Sequence, residues 1–575
     1  MTDPLEAVTD RLRPAFERVA GRPDVDPVVR PSDRADCQAN GALALAKELG
    51  RNPRDVAAEI IAAAGLDGVA DAELAGPGFI NLTLRPEFVG SLVAEVATDP
   101  LLGIAQAARP ERVVVDYSAP NVAKEMHIGH LRSTVIGDAV VRLFSAVGHE
   151  IVRENHIGDW GRPFGMLIEH LADIGPERAG SMELGDLDTF YKEATSKFEH
   201  DEAFQERARA RVVRLQRRDE ETMQLWHTLV AQSAEHWNEI YEKLGVLLTD
   251  ADLAGESRYE ALMPDVLERL DALGLLQESD GALVVFPPGF TNREGEPLPL
   301  IVRSRAGAFT YATSDLACVL DRVERIGATR LLYVVGAEQS QHLQMIFAVS
   351  EMAGWLVPPV RAEHVSFGLI LGTDRRRLRS RTGEPARFID VIDEAIDRGV
   401  AAVAEKNPEL PEAARLEVGR AIGVGAVKYA DLSTDRVRDY VFDWERMLSF
   451  DGNTAPYLQY AHARICSIFR RAAVDRSTVR ATVPTLTEPQ ERQLAMTLLG
   501  FGTAVAEAVE RTSPHRLTTH LYALASDFTA FYEHCPVLRA PDANTRASRL
   551  ALSDVTARVL ASGLQLLGIE APEQM

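Results

Sequence analysis

The stretch Arg112-Val-Val-Val-Asp-Tyr-Ser-Ala-Pro-Asn-Val-Ala-Lys-Glu-Met-His-Ile-Gly-His130 decides the fold class of the chain. It begins with a β-branched run that is too short for a helix, and turn-forming residues follow, which predicts a buried strand. Beyond His130 the apolar residues recur at helical spacing, and a second apolar run covers Glu150 to Val152. A strand, a loop, a helix and a strand in this order predict a doubly wound α/β domain.

The regions on either side of this unit have a different character. Residues 1–108 alternate helical stretches with a strand-like segment from Gly78 to Leu84, which predicts a small α+β domain. Residues 109–415 form the α/β domain, with a charge-rich helical insertion at about residues 170–300. Residues 416–575 are helical in period almost throughout, which predicts a separate all-α domain. We therefore expect a multidomain α/β protein.

Shorter elements are also predicted within these regions. In the first region, helices are expected at Ala42–Leu49 and Pro53–Ala64. In the α/β region, strand-like segments return after the insertion, and we expect them to extend the sheet: Phe309–Ala312, Leu331–Val335 and Val365–Leu371.

Composition and charge restrict the class of protein. Of the 575 residues, 46% are hydrophobic and 26% are charged, and the formal net charge is −23. This composition excludes collagen-like, low-complexity and wholly disordered proteins. Nonspecific binding to DNA or to an anionic membrane depends on an excess of Lys and Arg, so we expect neither as a partner.

The cysteines and the N-terminus indicate the compartment. The cysteines are scattered without a C-x-x-C pair, so neither a disulfide framework nor a protein-bound structural metal is expected: Cys37, Cys318, Cys466 and Cys535. The N-terminus has no apolar signal segment, and no stretch of about 18 uncharged apolar residues occurs in the chain. A reduced, cytoplasmic protein is therefore expected.

The loop that ends in His127-Ile-Gly129-His130 has the features of a nucleotide site. It lies between the first predicted strand and the first helix, where open parallel sheets bind their ligands and a helix N-terminus attracts phosphate. Both histidines are hydrogen-bond donors for phosphate, Gly129 allows a flat base to approach, and Lys124 adds a positive charge. An isolated H-x-x-H pair more often has no role, but its place in this loop favours a function.

A run of arginines near residue 377 is the second basic element. The segment Arg375-Arg-Arg-Leu-Arg-Ser-Arg-Thr-Gly383 follows a strand-like segment. By itself, such a cluster is more often a solvated loop. Paired with the histidine loop, it supplies the positive charge needed to neutralise a pyrophosphate that leaves ATP.

The longer strings resemble a known family. His127-Ile-Gly-His130 is identical to the HIGH signature of class I aminoacyl-tRNA synthetases, and Arg377-Leu-Arg-Ser-Arg381 resembles a degenerate form of their KMSKS loop. Four further strings spread along most of the chain resemble arginyl-tRNA synthetases: Asp116-Tyr-Ser-Ala-Pro-Asn-Val-Ala-Lys-Glu-Met-His127, Asn155-His-Ile-Gly-Asp-Trp-Gly161, Gly452-Asn-Thr-Ala-Pro-Tyr-Leu-Gln-Tyr-Ala461 and Phe531-Tyr-Glu-His-Cys-Pro536.

This resemblance implies both a reaction and a domain plan. Arginine and ATP, carried with Mg²⁺, give arginyl-adenylate and pyrophosphate, and the arginyl group then passes to the 3′-terminal adenosine of tRNA(Arg). Adenylate formation is expected to require bound tRNA. The α/β domain is expected to be a Rossmann-like catalytic domain, the N-terminal domain to contact tRNA, and the C-terminal domain to bind the anticodon, in a chain expected to act as a monomer.

The resemblance also assigns residues to the ATP site. The catalytic roles fall on His127, His130, Lys124 and Arg379, where Arg379 replaces the second lysine of KMSKS and is a planar fork rather than a compact ammonium. Gly158 and Asp159 are expected near the adenylate, although a tight turn with a packed tryptophan is the alternative. The whole set expected to bind ATP is His127, Gly129, His130, Gly158, Asp159, Arg377 and Arg379.

The site for arginine is expected to combine anionic and planar acceptors. The resemblance places four residues around the guanidinium: Asp116, Tyr311, Asp315 and Gln339. Ser118, Asn121 and His156 are expected to hold the α-amino and carboxylate end. Asp315 is alternatively an N-cap or a first-turn acid of a helix, and Tyr311 is alternatively a core aromatic. Because buried carboxylates would be left unpaired by a wrong amino acid, we expect no editing domain.

The helical domain is expected to read unpaired bases by stacking and hydrogen bonding. Tyr457, Tyr460 and Arg464, with His462 nearby, provide both kinds of contact, although a helix that only packs is equally consistent with them. Residues 421–575 hold 16 Lys+Arg and 17 Asp+Glu, so the acidity lies mainly elsewhere in the chain. Arginines around Cys466 predict a local basic patch for an RNA backbone: Arg464, Arg470, Arg471, Arg476 and Arg480.

Two other hypotheses are compatible with parts of the sequence. One is a nucleotidyltransferase that shares the HIGH fold but uses no tRNA, which the length and the helical C-terminal region disfavour. The other is a non-catalytic binding protein derived from a synthetase, which the intact histidine loop disfavours and the altered basic loop favours.

Overall fold

A computed structural model of the chain describes residues 3–175, 186–378 and 386–575. The first region is an α+β unit, as predicted, with a four-stranded antiparallel sheet in the order β1-β2-β4-β3. Its elements are α1 (Pro4–Ala20), β1 (Val29–Pro31), β2 (Cys37–Ala39), α2 (Gly41–Leu49), α3 (Pro53–Ala63), β3 (Ala70–Ala75), β4 (Phe79–Leu84) and α4 (Pro86–Thr98).

The α/β region begins with the predicted strand, helix and strand. These are β5 (Arg112–Asp116), α5 (Gly129–Ala146) and β6 (Glu150–Glu154). The next elements are α6 (Arg162–Ile174), α7 (Asp186–His200), α8 (Glu202–Gln216), α9 (Glu220–Leu244), α10 (Met263–Ala272), β7 (Gln277–Ser279), β8 (Ala282–Val285) and β9 (Leu300–Arg303). The rest of the α/β region consists of α11 (Tyr311–Glu324), β10 (Arg330–Tyr333), α12 (Ser340–Met352), β11 (Arg361–His364), β12 (Ile370–Leu371) and α13 (Phe388–Lys406).

The central sheet is parallel and covered on both faces. Its strand order is β11-β10-β5-β6, and every neighbouring pair is parallel. Val113 and Val115 of β5 face the core that contains α5, whereas Val114 faces the core of α10, α11 and α12. The chain runs from β5 to its neighbour β6 on one side, whereas the neighbour on the other side is the much later β10, so the carboxyl end of β5 is a topological switch point where ligands bind.

The insertion is only partly as predicted. The helices α7, α8 and α9 confirm its helical character. A three-stranded antiparallel sheet in the order β7-β8-β9 follows them, and the sequence analysis did not predict it. The strands have only three or four residues each, which is too short for a clear period-2 pattern.

Two strand predictions near the site are wrong in detail. Phe309–Ala312 is not a strand, because α11 begins at Tyr311 and Phe309 forms only an isolated bridge with Arg303. Of Val365–Leu371, only Ile370 and Leu371 form a strand, which pairs with residues 440–441. In both segments the residues are divided between a loop and the start of a helix or a short strand, so the local pattern did not mark a continuous strand.

The C-terminal region is helical, as predicted. Its elements are α14 (Glu412–Leu432), β13 (Tyr440–Val441), α15 (Trp444–Met447), α16 (Ala455–Ala472), α17 (Pro489–Leu499), α18 (Phe501–Glu510), α19 (His515–His534) and α20 (Ala543–Leu566). The predicted division between residues 415 and 416 falls inside α14, so no linker lies there. In the described residues, no helix is both long and apolar enough to cross a membrane.

A buried ion pair joins the α/β and helical regions. Arg132 of α5 and Asp431 of α14 are 1% exposed each, and Arg132 Nη2 lies 3.1 Å from Asp431 Oδ1. The same guanidinium donates to the carbonyl of Arg438 at 2.9 Å and lies over the rings of Phe367 and Tyr440. The helix that begins with the HIGH glycine is therefore anchored directly to the helical region.

Candidate functional site

The loop between β5 and α5 has a strained backbone that other elements hold in place. Ser118, Ala119 and Ala123 all have positive φ, at 75°, 50° and 58°, which is unfavourable for residues with a Cβ. Each of them donates its backbone N–H to a side chain from elsewhere, namely Ser133, Asn155 and Ser233 at 2.9–3.0 Å. Strain that the surrounding structure maintains in this way is typical of functional sites.

The two HIGH histidines lie side by side at the start of α5. Their ring centroids are 4.2 Å apart, and Gly129 donates its N–H to His127 Nδ1 at 3.0 Å. A Cβ at Gly129 would lie 2.7 Å from His127 Cε1. Gly129 is therefore needed to make room for the His127 ring. The sequence analysis explained this glycine only by the approach of a flat base.

Both histidines are held in the neutral form. Burial lowers the pKa of His130 to about 4, and burial together with the nearby Lys124 charge lowers the pKa of His127. Each neutral imidazole has one N–H donor and one acceptor nitrogen. At neutral pH they are suited to donate hydrogen bonds to phosphate oxygens rather than to neutralise them with full charges.

Lys124 supplies the full charge beside these histidines. Its side chain is exposed, and its Nζ lies 4.5 Å from the ring centroid of Tyr191 in α7. A cation–π contact of this kind restrains a flexible ammonium without neutralising it.

The residues on either side of the basic run are tied to the site. Within it, Arg377 forms a bridge with Leu371 and is exposed. After it, Ile128 donates to the carbonyl of Ala386 at 2.9 Å, and Phe388 donates to that of Met126 at 2.9 Å. Arg379, the predicted catalytic arginine, lies outside the described residues. The segment that follows the basic run, residues 386–388, is thus hydrogen bonded to the HIGH loop.

A cavity of about 900 Å³ lies next to the basic run. Arg376, Arg377 and Arg387 line it together with Trp444. Its described lining does not include the HIGH histidines, so in this structure Arg377 faces a space beside the HIGH loop. The predicted contact of Arg377 with ATP would need a different side-chain position.

Two of the residues predicted to bind the guanidinium lie on the first turns of α11. Tyr311 is the first residue of that helix and is 69% exposed, so it is not a core aromatic. Asp315 follows one turn later, and its Oδ2 lies 2.5 Å from Nε2 of His342 in α12. The N-cap of α11 is Thr310, so Asp315 is not the capping residue. Gln339, just before α12, is exposed.

Asp116 has an internal cation as its partner. The ends of β6, β5 and β10 are in register, which places Glu154, Asp116 and Tyr333 side by side. The fully buried Arg322 of α11 donates to Asp116 Oδ2 and to Glu154 Oε2, both at 2.7 Å, and its guanidinium lies 4.7 Å from the Tyr333 ring centroid. Arg258 Nη1 also lies 3.9 Å from Glu154 Oε1, and Asp116 has only its second oxygen available for a substrate.

The three residues predicted to hold the other end of arginine differ in accessibility. The Ser118 hydroxyl is 2% exposed and contacts Tyr241 at 2.7 Å and Thr134 at 3.0 Å, so it is already satisfied inside the protein. Asn121 is exposed, and a Cβ at Gly158 would collide with its side chain. His156 packs against Tyr259, and its buried Nδ1 has no partner among the described residues.

Asp159 is an anchor inside the protein. Its carboxylate is 3% exposed and accepts hydrogen bonds from the backbone N–H and the hydroxyl of Ser257 at 2.9 and 2.6 Å. The neighbouring Trp160 packs edge-on against Trp226, with centroids 6.2 Å apart. The packed tryptophan of the alternative is present, and the internal contacts of Asp159 do not support its predicted contact with ATP.

The structure adds residues that sequence reasoning missed. Arg322 and His342 pair with the two predicted guanidinium ligands, and Tyr241 reaches Ser118 and Asn155 from the inserted helix α9. Glu256 lies in a segment that hydrogen bonds to residues 155–157. These partners are separated from the motifs by 27 to 206 residues, so no local pattern could have shown them.

The helical region contains a second candidate site. A groove of about 910 Å³ is lined by aromatic and basic side chains, which are Tyr460, Arg464, Arg470, Arg471, Tyr532 and Arg539. The Arg464 guanidinium lies 5.1 and 4.9 Å from the ring centroids of Tyr460 and Tyr532. This groove combines stacking surfaces with positive charge, as single-stranded RNA requires.

Other members of the predicted patch point elsewhere. Tyr457 packs against Tyr522, and its hydroxyl contacts Thr529 at 3.2 Å. Arg476 and Arg480 pair with the buried Asp554 at 2.7 and 3.6 Å, outside the groove. His462 is buried, with its Nδ1 2.9 Å from the carbonyl of Pro572. The predicted basic patch is therefore reduced to the groove arginines.

Comparisons with protein-family models match almost the whole chain. Residues 93–444 match the catalytic domain of tRNA synthetases class I (R), residues 458–575 match the DALR anticodon binding domain, and residues 5–84 match the arginyl tRNA synthetase N terminal domain. Together with the HIGH helix at the switch point of a parallel sheet, they define a class I aminoacyl-tRNA synthetase.

Curated relatives and solved structures narrow the class. The chain is 50% identical over 581 residues to the arginine–tRNA ligase of Thermobifida fusca (strain YX), covering 100% of both chains, and 44% identical over 572 residues to that of Escherichia coli O9:H4 (strain HS), covering 99% of both. The arginyl-tRNA synthetases of Plasmodium falciparum and Thermus thermophilus are each 26% identical, with TM-scores of 0.83 and 0.78, and cover 99% of this chain and 99% and 100% of their own. The chain belongs to the arginyl-tRNA synthetase family, the arginine–tRNA ligases.

Proposed function

We propose that this chain activates L-arginine with ATP and transfers it to the 3′-terminal adenosine of tRNA(Arg), with release of pyrophosphate and AMP. The observation that carries the proposal is a convergence at one edge of the parallel sheet. The HIGH histidines lie at the start of α5, directly after the loop that leaves β5 at Asp116, and α11, which carries Asp315, is joined to Asp116 through Arg322. Donors for phosphate and acceptors for a guanidinium on the elements around one sheet edge fit a substrate pair of ATP and arginine.

Positioning and electrostatic stabilisation would drive the first step. A carboxylate oxygen of arginine attacks the α-phosphorus of ATP, and the bond to the bridging oxygen of pyrophosphate breaks. We assign His127, His130 and Lys124 to the triphosphate, with Gly129 and Gly158 close to the nucleotide and Arg377 and Arg379 as the second basic element. ATP would bring its own Mg²⁺, and no metal-binding cluster occurs among the described residues.

The guanidinium of arginine would be recognised by two carboxylates that differ in accessibility. Asp315 is half-buried, and Asp116 is 5% exposed. Tyr311 and Gln339, both exposed, would complete the pocket on closure over the substrate. Asn121 and His156 are our candidates for the amino and carboxylate end, and Ser118 would have to exchange an internal partner to join them.

The groove of the helical region is our candidate for the anticodon. Tyr460 and Tyr532 offer flat faces, and Arg464, Arg470, Arg471 and Arg539 offer positive charge for the RNA backbone. We further propose that the N-terminal domain contacts the tRNA and that the protein acts as a cytoplasmic monomer.

Arginine-dependent exchange between ATP and pyrophosphate tests the proposal directly. Exchange is expected with arginine in the presence of tRNA(Arg) and absent with lysine or citrulline, because these lack a charged guanidinium. Absence of exchange with the matching tRNA would refute a catalytic role and favour a binding protein. Exchange that never needs tRNA would refute the tRNA-dependent activation that the family resemblance implies.

A further inference from the structure

None of the sequence motifs indicated that Asp315 is paired with His342. His342 lies on the first turn of α12, and its Nε2 is 2.5 Å from Asp315 Oδ2. The two side chains are 33% and 26% exposed. They are thus open enough to meet a substrate and buried enough for a single charge to matter. The Asp315 carboxylate, which we propose binds arginine, is therefore hydrogen bonded to a histidine that can gain or lose a proton.

We propose that His342 is a positioning residue for arginine recognition, which holds Asp315 through Oδ2, presents Oδ1 to the substrate guanidinium, and favours binding when its imidazole is neutral. This inference rests on the proposed function. It assigns a task to a residue that need not touch arginine itself.

Asp116, the other carboxylate proposed to bind the guanidinium, has a partner with a permanent charge. Arg322 holds Asp116 through Oδ2 in the same way, but its charge is fixed, and Glu154 shares it. Among the described carboxylates, Asp315 alone lies within ion-pair distance of His342, so protonation of the imidazole would cancel the charge that attracts the substrate. Loss of that proton restores the charge while the Nε2–H hydrogen bond persists in the neutral tautomer.

The direction of the pH dependence follows from this pair. The hydrogen bond and the charge of Asp315 raise the pKa of His342 above its usual 6.5. The imidazolium therefore persists at pH values where an ordinary histidine is neutral. As the pH rises through this raised pKa, the proton leaves and Asp315 regains its full attraction for a guanidinium. The KM for arginine should consequently fall as the pH rises.

Glu256 is the other titratable group that faces this pair. It belongs to the segment beside residues 155–157, and burial, with the charges of Asp159 and Asp315, raises its pKa to about 8. Its ionisation in the same pH range would also strengthen guanidinium binding. Glu256→Gln is therefore the matched control that separates the two groups.

The test measures the KM for arginine in tRNA-dependent exchange at saturating ATP, between about pH 6 and 8.5. In the unmodified enzyme we expect the KM to fall about three- to tenfold as the pH rises, given a partly screened charge at this distance. His342→Gln keeps an amide donor without a titrating charge, so its profile should lose the part of the decrease that persists in Glu256→Gln. His342→Leu removes both the donor and the titrating charge, so its KM should exceed that of the unmodified enzyme by about tenfold near pH 8.5 and by less at lower pH. The KM for ATP and the thermal midpoint should change little in both variants.

Three results would overturn the inference. The first is that His342→Gln keeps the decrease while Glu256→Gln loses it, which would assign the effect to Glu256. The second is that both His342 variants retain the original KM for arginine throughout. The third is a KM for ATP that rises in parallel, which would indicate a general structural role. An unmodified enzyme that shows no arginine-dependent exchange would instead refute the proposed function.

Discussion

The catalytic cleft and the groove of the helical region hold their functional side chains in different ways. In the cleft, the proposed ligands Asp116, Asp315 and Ser118 have partners from distant elements, such as Arg322 for Asp116. In the groove, Tyr460, Arg464 and Tyr532 contact mainly one another at the surface. A small charged substrate is discriminated by fixed geometry, whereas RNA bases are bound by adaptable stacking.

Replacement of an arginine by methionine should destabilise the protein far more in the cleft than in the groove, and this difference is the largest effect that we expect. Arg322→Met removes the buried cation that Asp116 and Glu154 share, so the free energy of unfolding should fall by about 3–5 kcal/mol. Arg464→Met removes only surface contacts and should cost less than about 1 kcal/mol. Chemical denaturation of both variants measures the difference. Similar losses in the two variants would contradict the contrast between a fixed cleft and an adaptable groove.

The HIGH histidines should dominate the chemical step. His130→Ala removes a neutral donor from the transition state, so adenylate formation should slow by about 10²- to 10³-fold, with the KM for arginine nearly unchanged. Single-turnover measurement of adenylate formation gives the rate. The exposed His200→Ala in α7 is the matched control and should retain the original rate. A similar loss in both variants would argue against a specific role for His130.

Replacement of Asp315 should affect one substrate selectively. Asp315→Asn removes a charge-assisted contact with the guanidinium, and the KM for arginine should rise about 30- to 100-fold while that for ATP stays within about threefold. Glu324→Gln, at the exposed end of the same helix, is the control. Equal changes in both Michaelis constants for Asp315→Asn would rule out the guanidinium assignment.

Substitutions in the groove should act on tRNA alone. Tyr460→Ala should weaken tRNA binding by about tenfold, as expected for the loss of one stacked base, without a change in the KM for arginine at saturating tRNA. Tyr457→Ala, from the same helix, removes a packed side chain and should lower the thermal midpoint with a smaller effect on tRNA affinity. Filter binding and thermal unfolding distinguish the two. The reverse result would move the base contact to Tyr457.

The smallest effect concerns the dependence on salt. The logarithm of tRNA affinity should fall linearly with the logarithm of salt concentration, and Arg471→Gln should reduce the slope by about 0.7, the value for one contact to a single strand. Arg480→Gln is the matched control, because Arg480 is already paired with Asp554. A slope that is unaffected by Arg471→Gln would exclude a phosphate contact in the groove.

The strand, loop and helix around His127 and His130 were predictable because their signals are local. A β-branched run, turn residues and a helical period occupy adjacent positions, so the sequence alone placed a nucleotide-type loop at the carboxyl end of a parallel strand. The three-region plan was predictable for the same reason, since each region has its own pattern. Two predictions failed where such a pattern is missing. The helical period continues through the predicted boundary inside α14, and the strands of the β7-β8-β9 sheet are too short to show a period.

Only the tertiary structure decided which side chains are available to a ligand. The sequence placed Asp116 and Asp315 in one pocket with equal roles, but the fold buries Asp116 against Arg322 and pairs Asp315 with His342. It likewise turns Asp159 inward and separates Tyr457 from Tyr460. Hydrogen bonds between residues far apart in the chain depend on how helices and strands pack, and no spacing within a motif encodes that. The amino-acid sequence thus determined the kind of chemistry at this site, and the packing of distant elements determined which atoms are free to perform it.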